Sequence, residues 1–243
     1  MRGLSRGKYR ARVARTDADL TASQHLRRRI FRQDARDDAD AHDAACVHVV
    51  VEEIATAEIV AAFRLLPLRK GSEIHRAYSA QYYELSALKA FDAPMVEVGR
   101  FCVAPSHSDP DILRVAWGAM TRFVDDNGVA MLFGCSSFEG TEAEAYADTF
   151  AVLRERHLAP KRWLPKVKAP DVFRFAERLR GRPDRKKAMG LMPPLLKTYL
   201  AMGGWVSDHA VVDRDLGTLH VFTGLEVSAI PASRKRLLRA VAG

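Results

Sequence analysis

MVEVGRFCV, residues 95–103, is the stretch on which the reading of this chain turns. It is an apolar run broken by an acid, Glu97, a glycine, Gly99, and a base, Arg100. Strand side chains alternate faces with period two. Val96 and Val98 share one face, yet Phe101 and Val103 fall at odd positions, so the alternation slips between 98 and 101. A β-bulge at Gly99–Arg100 produces such a slip, and glycine is a residue that bulges favour. With the slip, Val96, Val98, Phe101 and Val103 lie on one face, and Glu97 and Arg100 come together on the other. The alternative is a strand buried on both faces that carries a structural Glu97–Arg100 pair. Either way the pair is costly to desolvate, which marks it as a candidate functional group. A bulge also frees backbone N–H groups, and such donors stabilise the oxyanion of an acyl-transfer intermediate.

Working outward, the pattern predicts a strand over 8–14 and a helix over 18–33, capped by Thr16 or Asp17, with Ala22, Leu26 and Ile30 on one face. RQDARDDADAHDA (32–44) reads as a polar loop, its acid-rich part 34–43 exposed. Residues 45–53 and 58–68 read as a hairpin and 72–91 as a helix. SDPDILRVAWGAMTRFVDDNG (108–128) is a helix with Ser108 or Asp109 as cap, Pro110 in its first turn and Asn127-Gly128 at its end. A buried strand over 129–138 and a helix over 141–157 follow. Beyond 158, short helices are expected at 170–180, 193–202 and 231–241, and strands at 205–213 and 218–226. Strand–helix–strand–helix after a meander makes a mixed α/β sheet.

The chain has 243 residues, 48% of them hydrophobic and 28% charged, with a net charge of +8. No apolar run approaches the roughly 18 residues of a membrane span. MRGLSRGKYRARVAR (1–15) is basic but lacks the apolar stretch of a secretory signal, so a cytoplasmic protein is expected. Cys46, Cys102 and Cys135 stand far apart, without a CxxC pair, and read as thiols in a reducing compartment; no metal site is expected. The cations gather near the start, at 178–190 and at 233–239, and such surfaces seek anions.

The order of the elements resembles the GCN5-related N-acetyltransferase fold. HLRRRIF (25–31), AAFRLLPL (61–68) and EVGRFCV (97–103) are similar to the Arg-x-x-x-Phe, Arg-Leu and Glu-x-x-Arg positions shared by autoinducer synthases and ornithine N-acyltransferases. Residues 135–167 and 191–227, with PPLLK, YL and GG in order, resemble the ornithine-lipid branch. The resemblance implies an α/β fold of that class with a C-terminal extension: an acyltransferase core over 1–157, and 158–243 packed on the same domain. It also implies transfer of a 3-hydroxyacyl group from an acyl carrier protein to the α-amine of L-ornithine, giving lyso-ornithine lipid.

The implied roles are these. Glu97 is the general base, directly or through water. Arg100 orients Glu97 or binds the substrate carboxylate. Arg27 and Phe31, four apart on one helix, stand over the acyl or amino-acid site, although a solvent arginine beside a core phenylalanine is the plainer reading. Arg64, Phe101 and Cys102 complete the substrate site, and Glu139 is the candidate for the δ-ammonium. Where acetyltransferases of this fold carry a glycine-rich turn for the coenzyme A pyrophosphate, this chain has APSHSDPDILR (104–114), without glycine. No cofactor is expected, since phosphopantetheine arrives on the acidic carrier protein, a partner for the basic clusters. Anionic membrane at the inner face is the other candidate partner. Rival readings are the same transfer to glutamine, lysine or S-adenosylmethionine, and a basic membrane- or nucleic-acid-binding module. No RNP, KH or zinc-finger pattern supports nucleic acid.

Overall fold

The computed structural model describes residues 3–32 and 38–242. In chain order the elements are β1 (Leu4–Arg6), β2 (Tyr9–Val13), α1 (Asp17–Phe31), β3 (Val47–Glu53), β4 (Ile59–Leu68), β5 (Tyr83–Glu84), β6 (Met95–Val103), α2 (Pro110–Asp126) and β7 (Met131–Glu139). There follow α3 (Ala147–Arg156), β8 (Lys166–Val167), β9 (Val172–Phe173), α4 (Phe175–Arg178), α5 (Arg185–Leu191), α6 (Pro194–Ala201), β10 (Trp205–Asp213), β11 (Thr218–Glu226) and α7 (Ala232–Ala242). They group into two compact units, each assembled from separated pieces of chain.

The first unit takes the chain up to Pro67, Val96–Ala130 and the part from Pro231 on. Strands β1, β2, β3 and β4 form an antiparallel meander, in which Val50 of β3 faces Arg12 of β2 and Ala62 of β4. Strand β6 lies beside β4, with Ala104 N–H donating to the Val60 carbonyl at 2.7 Å. Val49, Val50 and Val51 are all fully buried. Consecutive strand residues point to opposite faces, so the meander is covered on both. This explains why β3 and β4 read as near-continuous apolar runs rather than alternating ones.

Both long helices begin and end as their sequences dictate. Thr16 caps α1 in a reciprocal capping box with Asp19. Asp19 also accepts from both Nη atoms of Arg12 on β2, at 2.7 and 2.8 Å, which ties the helix start to the sheet. In α2, Asp109 caps and Pro110 opens the helix, and Gly128 follows its end at a φ of +58°. Helix α7 packs along α2, where Gly118 permits the approach: a methyl there would stand 2.5 Å from Leu4 and 3.0 Å from Val241.

The second unit takes Leu68–Met95 and Met131–Ile230. Strand β11 pairs antiparallel with β7 along its whole length and with β10, which in turn pairs with β9. Phe138, Phe150, Phe175, Leu196, Val206 and Val221 form its core.

Three expectations change here. Residues 72–91 are not one helix but 3-10 turns at Gly71–Arg76, Tyr78–Gln81 and Ser86–Ala90, with β5 between the last two. Tyr83, 1% exposed, donates its hydroxyl hydrogen to the His220 carbonyl, and this burial overrides local helix propensity. Residues 170–180 hold β9 and the single turn α4. Helix α5, at 185–191, was not anticipated; Asp184 caps it, and one small residue, Ala188, anchors it.

Candidate active site

The site is built on β6 of the first unit. Arg100 has a φ of +52°, inside a strand, where a non-glycine residue rarely goes. The interruption therefore lies where the phase of the valines places it, but the left-handed residue is the arginine and not Gly99. Gly99 has a different task. A methyl there would touch Arg64 Nε at 3.4 Å, so the glycine leaves the room in which the Arg64 side chain lies.

Three arginines and three aspartates close a ring of alternating charge. Arg27 Nε donates to Asp38 at 2.7 Å, and Arg100 Nε donates to the same oxygen at 3.0 Å. Arg100 Nη2 reaches Asp40 at 3.3 Å, and Arg64 Nη1 donates to Asp40 at 2.6 Å. Arg64 Nη1 also donates to Asp43 at 2.6 Å, and Arg27 Nη1 donates to Asp43 at 2.8 Å, which completes the circuit. Each guanidinium lies between two carboxylates and each carboxylate between two guanidiniums. The arginines come from α1, β4 and β6, and the aspartates from the segment after α1, so the ring joins four pieces of chain.

Burial makes this arrangement necessary. Arg27 and Asp38 are 1% and 0% exposed, and Arg64 is 3% exposed. A buried charge with no partner costs several kcal/mol, roughly, whereas here each buried guanidinium has two carboxylates, and Asp38 has a further cation, Arg32, 3.3 Å from its other oxygen. Burial is the largest influence on Asp43 and would raise its pKa, but the hydrogen bonds and charges of Arg27 and Arg64 hold it down to about 2. The same contest lowers Asp40, through Arg64 and then Arg100. Asp40 and Asp43 are therefore ionised at neutral pH.

The acid-rich stretch is thus not merely an exposed loop: Asp38 is fully buried, and Asp40 and Asp43 close the ring. Residues 34–37 of that stretch lie outside the described residues. The plain reading of Arg27 as a solvent side chain is likewise overturned by its burial. The missed signal was the run DDADAHD directly after a helix bearing Arg27, where buried arginines elsewhere required acids. Composition alone reads such a run as solvated.

Glu97 is 4% exposed on β6. It stands on the same strand as Arg100, two residues before Gly99, which lies against the Arg64 side chain. Phe31 joins them, with the Arg100 guanidinium over its ring at 5.8 Å. Glu97, Arg27, Phe31, Arg64 and Arg100 are therefore gathered. Phe101 points to the opposite face from Arg100 and stacks on Phe63 at 5.3 Å. Cys102 packs with Leu26, Ala62 and Ala104 under α1. Glu139 belongs to the second unit, exposed at the end of β7, and its carbonyl accepts from Tyr146.

Burial pushes the Cys102 thiol up to about 12 and the Cys46 thiol up to about 11. Neither supplies a thiolate at neutral pH. Among the described residues, no group of histidine, cysteine and acidic side chains is placed to hold a metal ion, and no helix is long and apolar enough to cross a membrane.

Residues 22–118 match the Acetyltransferase (GNAT) domain family. The chain is 32% identical over 238 residues to the L-ornithine N(alpha)-acyltransferase of Rhodobacter capsulatus, covering 91% of each. It is 28% identical to that of Brucella abortus, covering 92% of this chain and 86% of the relative. Among solved structures, it is similar to FeeM, an N-acyl amino acid synthase from uncultured soil microbes, with a TM-score of 0.49, 8% identity and 96% of each chain covered. It is also similar to the AHL synthase LasI, with a TM-score of 0.47, 14% identity and 96% and 95% covered. A strand interrupted at Arg100 and followed by helix, strand and helix, and a likeness that runs along nearly the whole of its relatives, establish that the chain belongs to the L-ornithine N(alpha)-acyltransferase family and is an N-acyltransferase of the GNAT fold.

Proposed function

We propose that the chain transfers a 3-hydroxyacyl group from the thioester of an acyl carrier protein to the α-amine of L-ornithine, giving lyso-ornithine lipid in the cytoplasm. The relatives' activity supports ornithine as acceptor. The glycine-free turn after β6, in which Asp109 is already occupied in capping α2, supports a carrier-bound donor over free coenzyme A.

The observation that carries the reaction is the buried carboxylate of Glu97 on an interrupted strand, beside the frame of the charge ring. Glu97, directly or through a water, takes a proton from the α-ammonium. The amine attacks the thioester carbonyl, the new C–N bond forms and the C–S bond breaks. The nitrogen loses a second proton as the C–S bond breaks; one of the two protons goes to the departing phosphopantetheine thiolate and the other to water, so the products are an amide, a free carrier thiol and one released proton. No enzyme nucleophile is needed, in keeping with the raised Cys102 and Cys46 thiols. The arginines act chiefly as the frame, because the donors of Arg27, Arg64 and Arg100 already hold aspartates; Phe31 lies against that frame. Cys102, packed beneath α1 beside this frame, is proposed to line the acyl side, and Phe101 to back it from the other face of β6.

Purified protein given acyl-carrier-protein thioester and ornithine is expected to release carrier thiol. Glu97→Gln should lower that release about a hundredfold or more with an unchanged melting temperature. Full activity in this variant removes Glu97 from the mechanism. Lysine, glutamine and S-adenosylmethionine in parallel test the acceptor: faster turnover of any of them displaces ornithine. Salt-sensitive binding without turnover would favour a non-catalytic module.

A further inference from the structure

We propose that residues 178–191 form a membrane-docking surface that presses Met189 and Leu191 into an anionic lipid bilayer. Between Arg178 and Leu191 stand six arginines and lysines and one acid, Asp184. The Asp184 carboxylate accepts from the backbone N–H groups of Lys186 and Lys187 at the start of α5. It caps the helix rather than neutralising its neighbours. Lys187 pairs with Asp148 at 3.1 Å. Arg180, Arg182, Arg185 and Lys186 are exposed and have no ion-pair partner among the described residues.

The apolar side of the argument is independent of the charge. Large exposed hydrophobic residues are few in this chain, and two of them, Met189 at 47% and Leu191 at 42%, stand in this segment. Their exposure is not slack in a loose loop. Ala188 between the cations and Met189 is fully buried, its carbonyl accepts from Thr149, and Met192 is 2% exposed in the core. The core holds the segment at 188 and 192 and turns 189 and 191 out. A fixed surface that shows cations and apolar side chains together fits a bilayer with anionic headgroups, which receives both. Helix α7 is also basic but differs: it lies along α2, and Leu237 is its single strongly exposed large apolar residue. An acidic protein would suit the cations, but it gives less reason for two outward aliphatic side chains.

The surface needs no substrate to be tested, so its failure is separate from that of the acyl-transfer reading. Wild-type protein should sediment with vesicles of phosphatidylcholine containing about one-third phosphatidylglycerol, should not sediment with phosphatidylcholine alone, and should be released by salt. Met189→Ser with Leu191→Ser, and separately Arg182→Gln with Arg185→Gln and Lys186→Gln, should each weaken binding about tenfold. Met189→Trp should show a blue-shifted emission on adding anionic vesicles and none with neutral ones, a readout that does not depend on loss of binding. Wild-type binding by the serine variant, equal binding to neutral vesicles, or no emission shift overturns the proposal. So does a cation variant that binds vesicles normally but shows a raised KM for soluble acyl carrier protein, which assigns the patch to that protein.

Discussion

Asp43 holds two buried arginines at once, and removing its charge is the most direct way to test the ring. Asp43→Asn keeps the shape but leaves Arg27 and Arg64 with one carboxylate each. We expect a loss of about 3 kcal/mol in urea denaturation, within the range for breaking a buried ion pair from one side. Asp19→Asn, at a partly exposed pair, should cost less. Gly99 gives a graded test. Gly99→Ala brings a methyl into ordinary contact with Arg64 and should be tolerated, whereas Gly99→Val must displace the guanidinium and should lower kcat together with stability. Equal activity in the two variants would show that the Arg64 position does not matter to the reaction. At this scale the sequence was partly legible. Glu97, Arg64 and Arg100 stand out as charges in apolar runs, and Arg27 only through the resemblance to known acyltransferases. Asp38, Asp40 and Asp43 do not, because an acid in a polar loop looks the same whether or not an arginine waits for it.

Helix α1 delivers Arg27 and Phe31, and its first turn is capped by Thr16 in the box with Asp19. Thr16→Ala should cost about 1 kcal/mol, with the loss seen in thermal unfolding and rescued by Ser or Asp at the same position. Helix α7 depends on a glycine in α2. Gly118→Ala would drive a methyl against Leu4 and Val241, so limited proteolysis near 231–241 should become faster while the ring on β6 stays intact. Unchanged proteolysis would mean that α7 accommodates the methyl by a small shift. Elements with caps, periodicity and turn residues were read correctly from sequence: α1, α2, β10 and β11. Residues 72–91 misled, because a stretch free of proline and rich in helix-forming residues reads as one helix while Tyr83 is drawn into the core of the second unit. Helix α5 was missed for the opposite reason: a seven-residue helix with one buried residue has almost no pattern to read.

For the molecule as a whole, His220 and Asp43 contribute to the response to acid at two different pH ranges. His220 lies within the second unit with its ring edge-on to Tyr82, and its pKa is pushed down to about 3, first by burial and then by His209. Its folded value is below the unfolded one, so the unfolded chain binds the proton first. The stability that this contributes is present above pH 6.5 and is lost as pH falls toward 3, with a slope of up to about 1.4 kcal/mol per pH unit. Asp43, held at about 2 against an ordinary 3.8, contributes stability above 3.8 that disappears only as pH drops through 2. Urea midpoints measured from pH 7 to pH 4 should therefore fall, and His220→Gln should flatten that fall; an unchanged slope would remove His220 as its source.

Sequence alone predicted a mixed α/β sheet, the interruption of β6 and, beside Glu97, the buried charges of Arg64 and Arg100, because these follow from local rules: the period of a strand, the chemistry of a cap, the reluctance of charge to enter an apolar run; Arg27 was marked only by the resemblance to known acyltransferases. Only the tertiary structure decided what those charges do. It closed them into a ring with aspartates from a segment that reads as solvent, and it gave the left-handed conformation to Arg100 and the open space to Arg64. The reason is physical. A buried charge must find its partner across space, and the partner's place along the chain carries no mark of that meeting until the backbone brings the two within hydrogen-bond distance.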